Sequence, residues 1–397
     1  MATPPIATPP KALVLILATL DTKEAEAQYL QKVLADLGVD TQIVDMTPHT
    51  VLQGNVPTVR GAAMRQAGAT IKQTILDNVA THPIAGAVAF GGASGAALAA
   101  PTLQALPYGT PKVLVSPVAS GDTRKYIDSA DVLLIHSVVD FLGRNRYVDA
   151  VLEQAARSVL ALGATPSRPP EPAKDVGITA FGVTSPFVEL LKNHLHKEGR
   201  SAVCFSANGS GGRGFENFIN DGRFGSVIDA TTTELADELF GGALSAGPER
   251  LTSAAAHNIP QIVIPGGLDF INFGALDEVP SEFRSRPLIQ HTPAVTLVRT
   301  SLTENEQLGS HIGKQLRDAR AHVVIPMGGF SLVSSPGMPF EDRAANDSFV
   351  RGVRRYLPNT QITLVDAPIN DPRFAQTVIQ TWAQIAPPVS KLEKATQ

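Results

Sequence analysis

The chain has 397 residues and a net charge of −4, too long for one compact core and too balanced for a bulk-charge nucleic-acid binder or an acidic disordered chain. Its charged fraction, 18 %, lies below the roughly 25 % usual for soluble domains, which points to surface buried against a second domain or in a homo-oligomer. A single cysteine, Cys204, excludes an intrachain disulfide and a CxxC pair and fits a cytoplasmic compartment.

Residues 1–10, MATPPIATPP, have neither a basic region nor an apolar stretch and read as a disordered tail, not a signal peptide. Apolar runs such as Ala12–Leu20 are far shorter than a membrane span, so no membrane partner is expected. Beyond the tail one phrase repeats. An apolar, β-branched run ends in a Gly/Ser/Thr/Asp turn, and a helical pattern follows. Strands buried on both faces of a parallel sheet read this way. In the first half the runs are Lys11–Leu20, Thr41–Asp45, Ile84–Phe90, Lys112–Ser116 and Asp131–Ser137. The clearest helical pattern is Glu24–Leu37, with Ala25, Tyr29, Leu30, Val33 and Leu37 on one face and Gly38 as its stop. Arg144–Leu162 is the last helix of this half.

Gly163–Asp175 reads GATPSRPPEPAKD, and its prolines exclude helix and central strand. The expected domains are therefore 11–165 and 175–397, joined by a linker at 166–174. In the second half the runs are Asp175–Gly182, Ser201–Ser206, Ser226–Asp229, Gln261–Pro265, Ala294–Thr300, His322–Pro326 and Gln361–Asp366. Helical patterns cover Pro186–Glu198, Glu234–Phe240, Glu304–Arg320, Asp347–Leu357 and Arg373–Ile385. The predicted fold is α/β: two Rossmann-like domains, each a mainly parallel sheet flanked by helices.

Ligands of such sheets bind at the carboxyl ends of strands. In the first half, Thr19-Leu20-Asp21-Thr22-Lys23 closes the first run, with Asp21 or Thr22 able to cap the helix and Lys23 adding charge. An ordinary capping turn explains the same residues. Gly91-Gly92-Ala93-Ser94-Gly95 lets a backbone approach a phosphate, although a tight strand–helix turn also needs glycine. Ser116–Thr123 offers Ser120, Gly121 and Asp122, the last a possible Mg²⁺ contact. His136 ends the fifth run, where a packed histidine is the commoner case.

In the second half, Gly209-Ser210-Gly211-Gly212-Arg213-Gly214 matches the dinucleotide fingerprint, with Asp229 about twenty residues on. It is not the first βα turn of its domain, and Asn220-Asp221-Gly222 cramps the helix expected from Phe215 to Ile219. Asp229–Glu234 places three threonines between two acids. Pro265–Gly274 sets Asp269 and Asn272 in an apolar glycine loop. Gly328–Phe340 is a long irregular segment that carries Ser331. Together with His291 and Arg299, Asp269 and Ser331 are the catalytic candidates.

These segments, in this order, resemble the Tm-1-like ATP-binding family, also called UPF0261. The resemblance runs from about Lys11 to Trp382. It rests on ATLDTKE at Ala18–Glu24, GGASG at Gly91–Gly95, SPVASGDT at Ser116–Thr123 and DATTTELADELFGG at Asp229–Gly242. SAGPERL at Ser245–Leu251, PGGLDFINFG at Pro265–Gly274, TPAVTLVRTSLTE at Thr292–Glu304 and PGMPF at Pro336–Phe340 complete it. It implies two Rossmann-like domains with ATP bound in the N-terminal one; the Asp122 reading adds Mg beside the nucleotide. The matching contacts are Thr19, Asp21, Thr22, Lys23, Gly91, Gly92, Ser94, Gly95, Ser120, Gly121 and Asp122. Relatives include an antiviral plant factor, and many carry a further barrel resembling phosphoenolpyruvate-utilising enzymes, which is not expected in this chain. Relatives tend to read HATG where this chain has Ser206-Ala207-Asn208-Gly209.

The expected function is ATP binding, with a small-molecule site in a cleft between the domains. Three alternatives stand beside it: an NAD(P)-dependent oxidoreductase using Gly209–Gly214, a hydrolase or carbon–carbon lyase of small oxo acids, and a non-catalytic interaction protein.

Overall fold

The apolar runs fold as strands, and the polar and glycine turns fall at their carboxyl ends. The computed structural model describes residues 13–47, 66–73, 75, 83–164, 172 and 175–386. The expected tail and nearly all of the linker lie outside them. The chain divides into two compact units, Met1–Arg168 and Pro169–Gln397.

The first unit alternates β1 (Leu13–Ala18), α1 (Leu20–Asp36), β2 (Thr41–Asp45), β3 (Ile84–Phe90), α2 (Ala93–Ala105), β4 (Lys112–Ser116), α3 (Arg124–Ile127), β5 (Leu133–His136) and α4 (Arg146–Ala164). Its five strands pair in parallel in the order β2-β1-β3-β4-β5. This is the doubly wound order, and its topological switch point lies between β1 and β3. One core, with Ile16, Val88, Val113 and Leu152, fills the side of α1 and α4; another, with Leu17, Ala89, Leu103 and Leu114, fills the side of α2. α1 begins four residues before the expected Glu24. Thr19 is its N-cap, so Asp21, Thr22 and Lys23 belong to its first turn.

The second unit runs β6 (Asp175–Ala180), α5 (Ser185–Lys197), β7 (Ser201–Ser206), α6 (Ser210–Asn220), β8 (Ser226–Asp229), α7 (Glu234–Phe240), α8 (Ser253–Ala256) and β9 (Gln261–Val263). It continues through β10 (Phe270–Phe273), β11 (Leu288–Thr292), β12 (Val295–Arg299), α9 (Leu302–Leu316), β13 (Ala321–Pro326), α10 (Arg343–Arg354), β14 (Ile362–Val365) and α11 (Pro372–Ile385). Six strands form a parallel sheet ordered β14-β13-β9-β8-β6-β7. This repeats the winding of the first unit, with the switch point between β6 and β8.

Two expectations are corrected here. α6 begins at Ser210, inside the glycine loop, so Asn220-Asp221-Gly222 ends a full helix and does not cramp it. The run Ala294–Thr300 does not join the parallel sheet. Its β12 pairs antiparallel with β10 and β11 in a separate three-stranded sheet. Phe270-Ile271-Asn272-Phe273 is thus a buried strand, not part of a glycine loop.

Candidate functional site

At the switch point of the first unit, the loops after β1, β3, β4 and β5 carry the expected nucleotide contacts. In the turn after β1 the first backbone N–H groups of α1 already have partners. The Leu20 N–H donates to Asp45 Oδ1 at 3.1 Å and the Asp21 N–H to Thr47 Oγ1 at 3.2 Å. A carboxylate of this chain therefore already sits at the α1 N-terminus. Thr19 and Thr22 hydroxyls lie 3.3 Å apart, and Lys23 departs from helical geometry at φ −130°, ψ 19°.

The turn after β3 is more open. Gly91 has φ +143°, a conformation that side chains resist, and it reverses the chain into α2. Gly92 is the N-cap of α2 and makes no side-chain cap. A Cβ built on Gly92 meets only Asp140 Oδ1, at 3.6 Å. The Ser116 hydroxyl donates to the Gly91 carbonyl at 2.7 Å and fastens this loop to the end of β4. Ser94 is exposed, and Gly91 and Gly95 are buried. After β4, Ser120, Gly121 and Asp122 are exposed. Asp122 forms a two-point pair with Arg124, Oδ1–Nε 3.0 Å and Oδ2–Nη2 2.9 Å. That pairing holds the Asp122 carboxyl down at about 2. Among the described residues no group of three His, Cys, Asp or Glu side chains could hold a metal ion. His136 ends β5 with its side exposed to solvent. Asp140, which the sequence did not single out, reaches the Gly91–Gly92 turn from the loop after β5. That loop also contains Val138 at φ +63°, a strained conformation for a β-branched residue.

In the second unit the dinucleotide fingerprint is filled by protein. The Gly209 and Gly212 N–H groups, which a pyrophosphate would need, both donate to Glu234 Oε1, at 2.6 and 3.1 Å. Asp229, the expected ribose acid, is buried and bound through both oxygens to Arg250 at 2.5 and 2.6 Å. Arg250 also pairs with Glu234 at 2.7 Å and Glu216 at 3.1 Å. It is fully buried, yet the carboxylates around it keep it firmly charged. Burial pushes Glu234 up despite that partner. Thr179 donates to Asp229 Oδ1 at 2.6 Å, and the Thr184 and Thr231 hydroxyls lie 2.7 Å apart. The glycines here therefore serve close packing on a buried ion cluster, and the NAD(P) alternative loses its phosphate donors. Arg250, which lies inside SAGPERL, and Glu216 were not singled out as site residues in the sequence.

Three of the four catalytic candidates converge. The Ser331 hydroxyl donates to Asp269 Oδ2 at 2.5 Å, and Arg299 Nη1 donates to the Asp269 carbonyl at 2.9 Å. All three residues are buried. Burial pushes Asp269 up and Arg299 down. Asp269 Oδ1 and Arg299 Nε and Nη2 have no hydrogen-bond partner. A buried polar atom left this way costs about 1–3 kcal/mol, more when charged. His291 does not join them. It is exposed at the register shift between Gln290 and Thr292, opposite the far end of β12 from Arg299.

Beside this cluster, Asn272 donates from Nδ2 to Asp237 Oδ2 at 3.0 Å and from its backbone to Asp237 Oδ1 at 2.8 Å. The same Nδ2 donates to Thr233 Oγ1 at 3.1 Å, while the Thr232 hydroxyl bonds the Ile264 carbonyl. Burial still pushes Asp237 up to about 7. A groove of about 690 Å³ between α7, α9 and α10 contains none of these strand-end groups.

Comparison with known proteins agrees with this architecture. The N-terminal domain of "Uncharacterised protein family (UPF0261)" matches residues 12–167, and its C-terminal domain matches residues 173–386. A UPF0261 protein of Clostridium tetani is 35 % identical over 395 residues, covering 91 % of this chain and 96 % of its own. One of Mesorhizobium japonicum is 34 % identical, covering 92 % and 97 %. The ToMV resistance protein Tm-1 of Solanum lycopersicum is 32 % identical over 345 residues, 84 % of this chain but 46 % of the tomato protein. With both family domains matched in order and both units wound as doubly wound sheets, this chain belongs to the UPF0261 family and is Tm-1-like.

Proposed function

We propose that the first unit binds ATP at its switch point. The observation that carries this reading is the uncapped N-terminus of α2 behind Gly91 and Gly92, at the end of β3. A helix N-terminus with free space before it favours phosphate. Gly91, Gly92, Ser94 and Gly95 would cradle the phosphates, and Ser120, Gly121 and Asp122 would border them from the end of β4. Thr19, Asp21, Thr22 and Lys23 would close the other side. A Mg²⁺ ion arriving with the nucleotide would compete with Arg124 for Asp122.

Calorimetric titration with MgATP tests the reading on the wild type and on Gly92→Val. Gly92 has φ −68° and an uncrowded Cβ position, so valine fits the fold while its side chain fills the space before the helix. The expected result is a saturable heat for the wild type and at least a tenfold weaker affinity for G92V with unchanged circular dichroism. No heat for the wild type, or equal affinity for a folded G92V, overturns it.

A further inference from the structure

Arg299 is held at one end and unmet at the other. Its Nη1 donates to the Asp269 carbonyl at 2.9 Å and to Thr300 Oγ1 at 2.9 Å. Thr300 Oγ1 is itself fixed, donating to the Leu268 carbonyl at 2.9 Å and accepting from Asn305 Nδ2 at 2.9 Å. The guanidinium therefore cannot turn freely. Its other edge, Nε with Nη2, is buried and has no partner. These two N–H groups are parallel and form the fork that matches a carboxylate.

The same chain shows what this edge takes elsewhere. In Arg144, Nε and Nη2 each bond one oxygen of Asp149 at 3.0 Å. In Arg124 the same pair of nitrogens bonds Asp122. Among the described residues no carboxylate does this for Arg299, and Asp269 does not pair with its fork. Burial pushes Asp269 up and Arg299 down, while each holds the other toward its charged form. Two further acceptors nearby in the network, Asp269 Oδ1 and Asn305 Oδ1, are buried and unpartnered as well. Ser331, on the long segment after β13, closes the group through Asp269 Oδ2 at 2.5 Å.

We infer that the Arg299 fork anchors a carboxylate-binding site in the second unit, one that takes a small carboxylic acid and places it beside the Asp269–Ser331 pair. The free edge supplies two-point recognition of the acid. Asp269 and Asn305 supply hydrogen-bonding capacity for polar groups next to it. Arg299, Asp269 and Ser331 are all buried, so the acid this site takes is a small one. This inference is independent of nucleotide binding in the first unit.

The full-length protein is tested by ligand-observed NMR and thermal melting against acetate, malonate, 2-oxosuccinate and citrate, with inorganic phosphate as a separate arm. At least one carboxylate is expected to bind and raise the melting temperature, and a soaked crystal should place its two oxygens on Nε and Nη2 of Arg299. Arg299→Lys keeps the charge and loses the fork, so a folded R299K is expected to bind at least tenfold more weakly. Ser331→Ala gives a second variant that leaves the guanidinium untouched, and it is expected to weaken binding while the acid stays on the fork. The assignment is overturned if no carboxylate binds the wild type at 10 mM (on the order of a fragment-level affinity), if phosphate binds more tightly than every carboxylate, if R299K binds equally, or if the fork holds only water in the soaked crystal.

Discussion

Arg250 balances three carboxylates in the core of the second unit, and each has a second partner to hold it. Glu216 accepts from the Leu251 and Ser253 N–H groups, Asp229 from Thr179 and Glu234 from the glycine loop. Removing the cation strands buried charge, a change worth about 3–5 kcal/mol. Arg250→Met should lower stability by that amount, measured by urea unfolding. Asp237 gives a prediction with a defined sign. Its folded value is raised to about 7 from 3.8, so the folded protein holds this proton more tightly than the unfolded chain. Its contribution is fully present below about 4 and is lost as pH rises through about 7. The unfolding free energy of the second unit, measured with urea, should therefore fall between pH 4 and 7, with a slope from this group of about 1.4 kcal/mol per pH unit. Glu234 and Asp269 are raised too and add to the same direction. A midpoint that rises across that window would contradict the assignment. At this scale the sequence told part of the story. Asp269 and Ser331 stood out as polar residues in irregular segments and Arg299 as a charge at the end of an apolar run, but the pairing of Asp229 with Arg250 bridges 21 positions, and nothing local encodes it.

At the scale of elements, two glycines with one motif-level meaning have different physical roles. A Cβ on Gly212 would lie 2.2 Å from Glu234 Oε2, a buried group already engaged with Arg250. A Cβ on Gly92 would meet nothing closer than 3.6 Å. Gly212→Ala should cost about 1–3 kcal/mol through overpacking. Gly92→Ala should change stability by about 0.5 kcal/mol or less. Thermal melts of the two variants check the contrast. Strand placement was legible because buried parallel strands are continuous apolar runs, and β2, β3, β4, β7 and β8 match the expected bounds. The β10 strand was not. Its flanking glycines hid a four-residue element, and an antiparallel partner 23 or more residues away supplies the pairing.

For the molecule as a whole, the shortage of charge has a concrete source. Two parallel sheets consume apolar residues on both faces, and several of the charges that exist, Lys112, Arg250, Asp229 and Glu234 among them, are themselves buried. Each unit has its own apolar clusters, so each is expected to respond separately to stress. ATP at about a hundred times its dissociation constant should stabilise the first unit by about 2.7 kcal/mol. In calorimetric melting, ATP should shift one transition upward, while Arg250→Met should shift the other downward. A single transition moved by both would contradict this.

Both units wind their strands in the same order, yet their switch points are finished differently. In the first, exposed hydroxyls and an uncapped helix surround the place where the winding reverses. In the second, Thr179, Asp229 and Arg250 occupy the corresponding place. Inherited variation should therefore sort by address. Changes at Ser94 or Asp122 would leave cellular abundance intact and blunt ligand response, whereas changes at Asp229 or Arg250 would deplete the protein itself. A pooled variant library scored once for abundance and once for nucleotide capture would separate the two switch points without an activity assay.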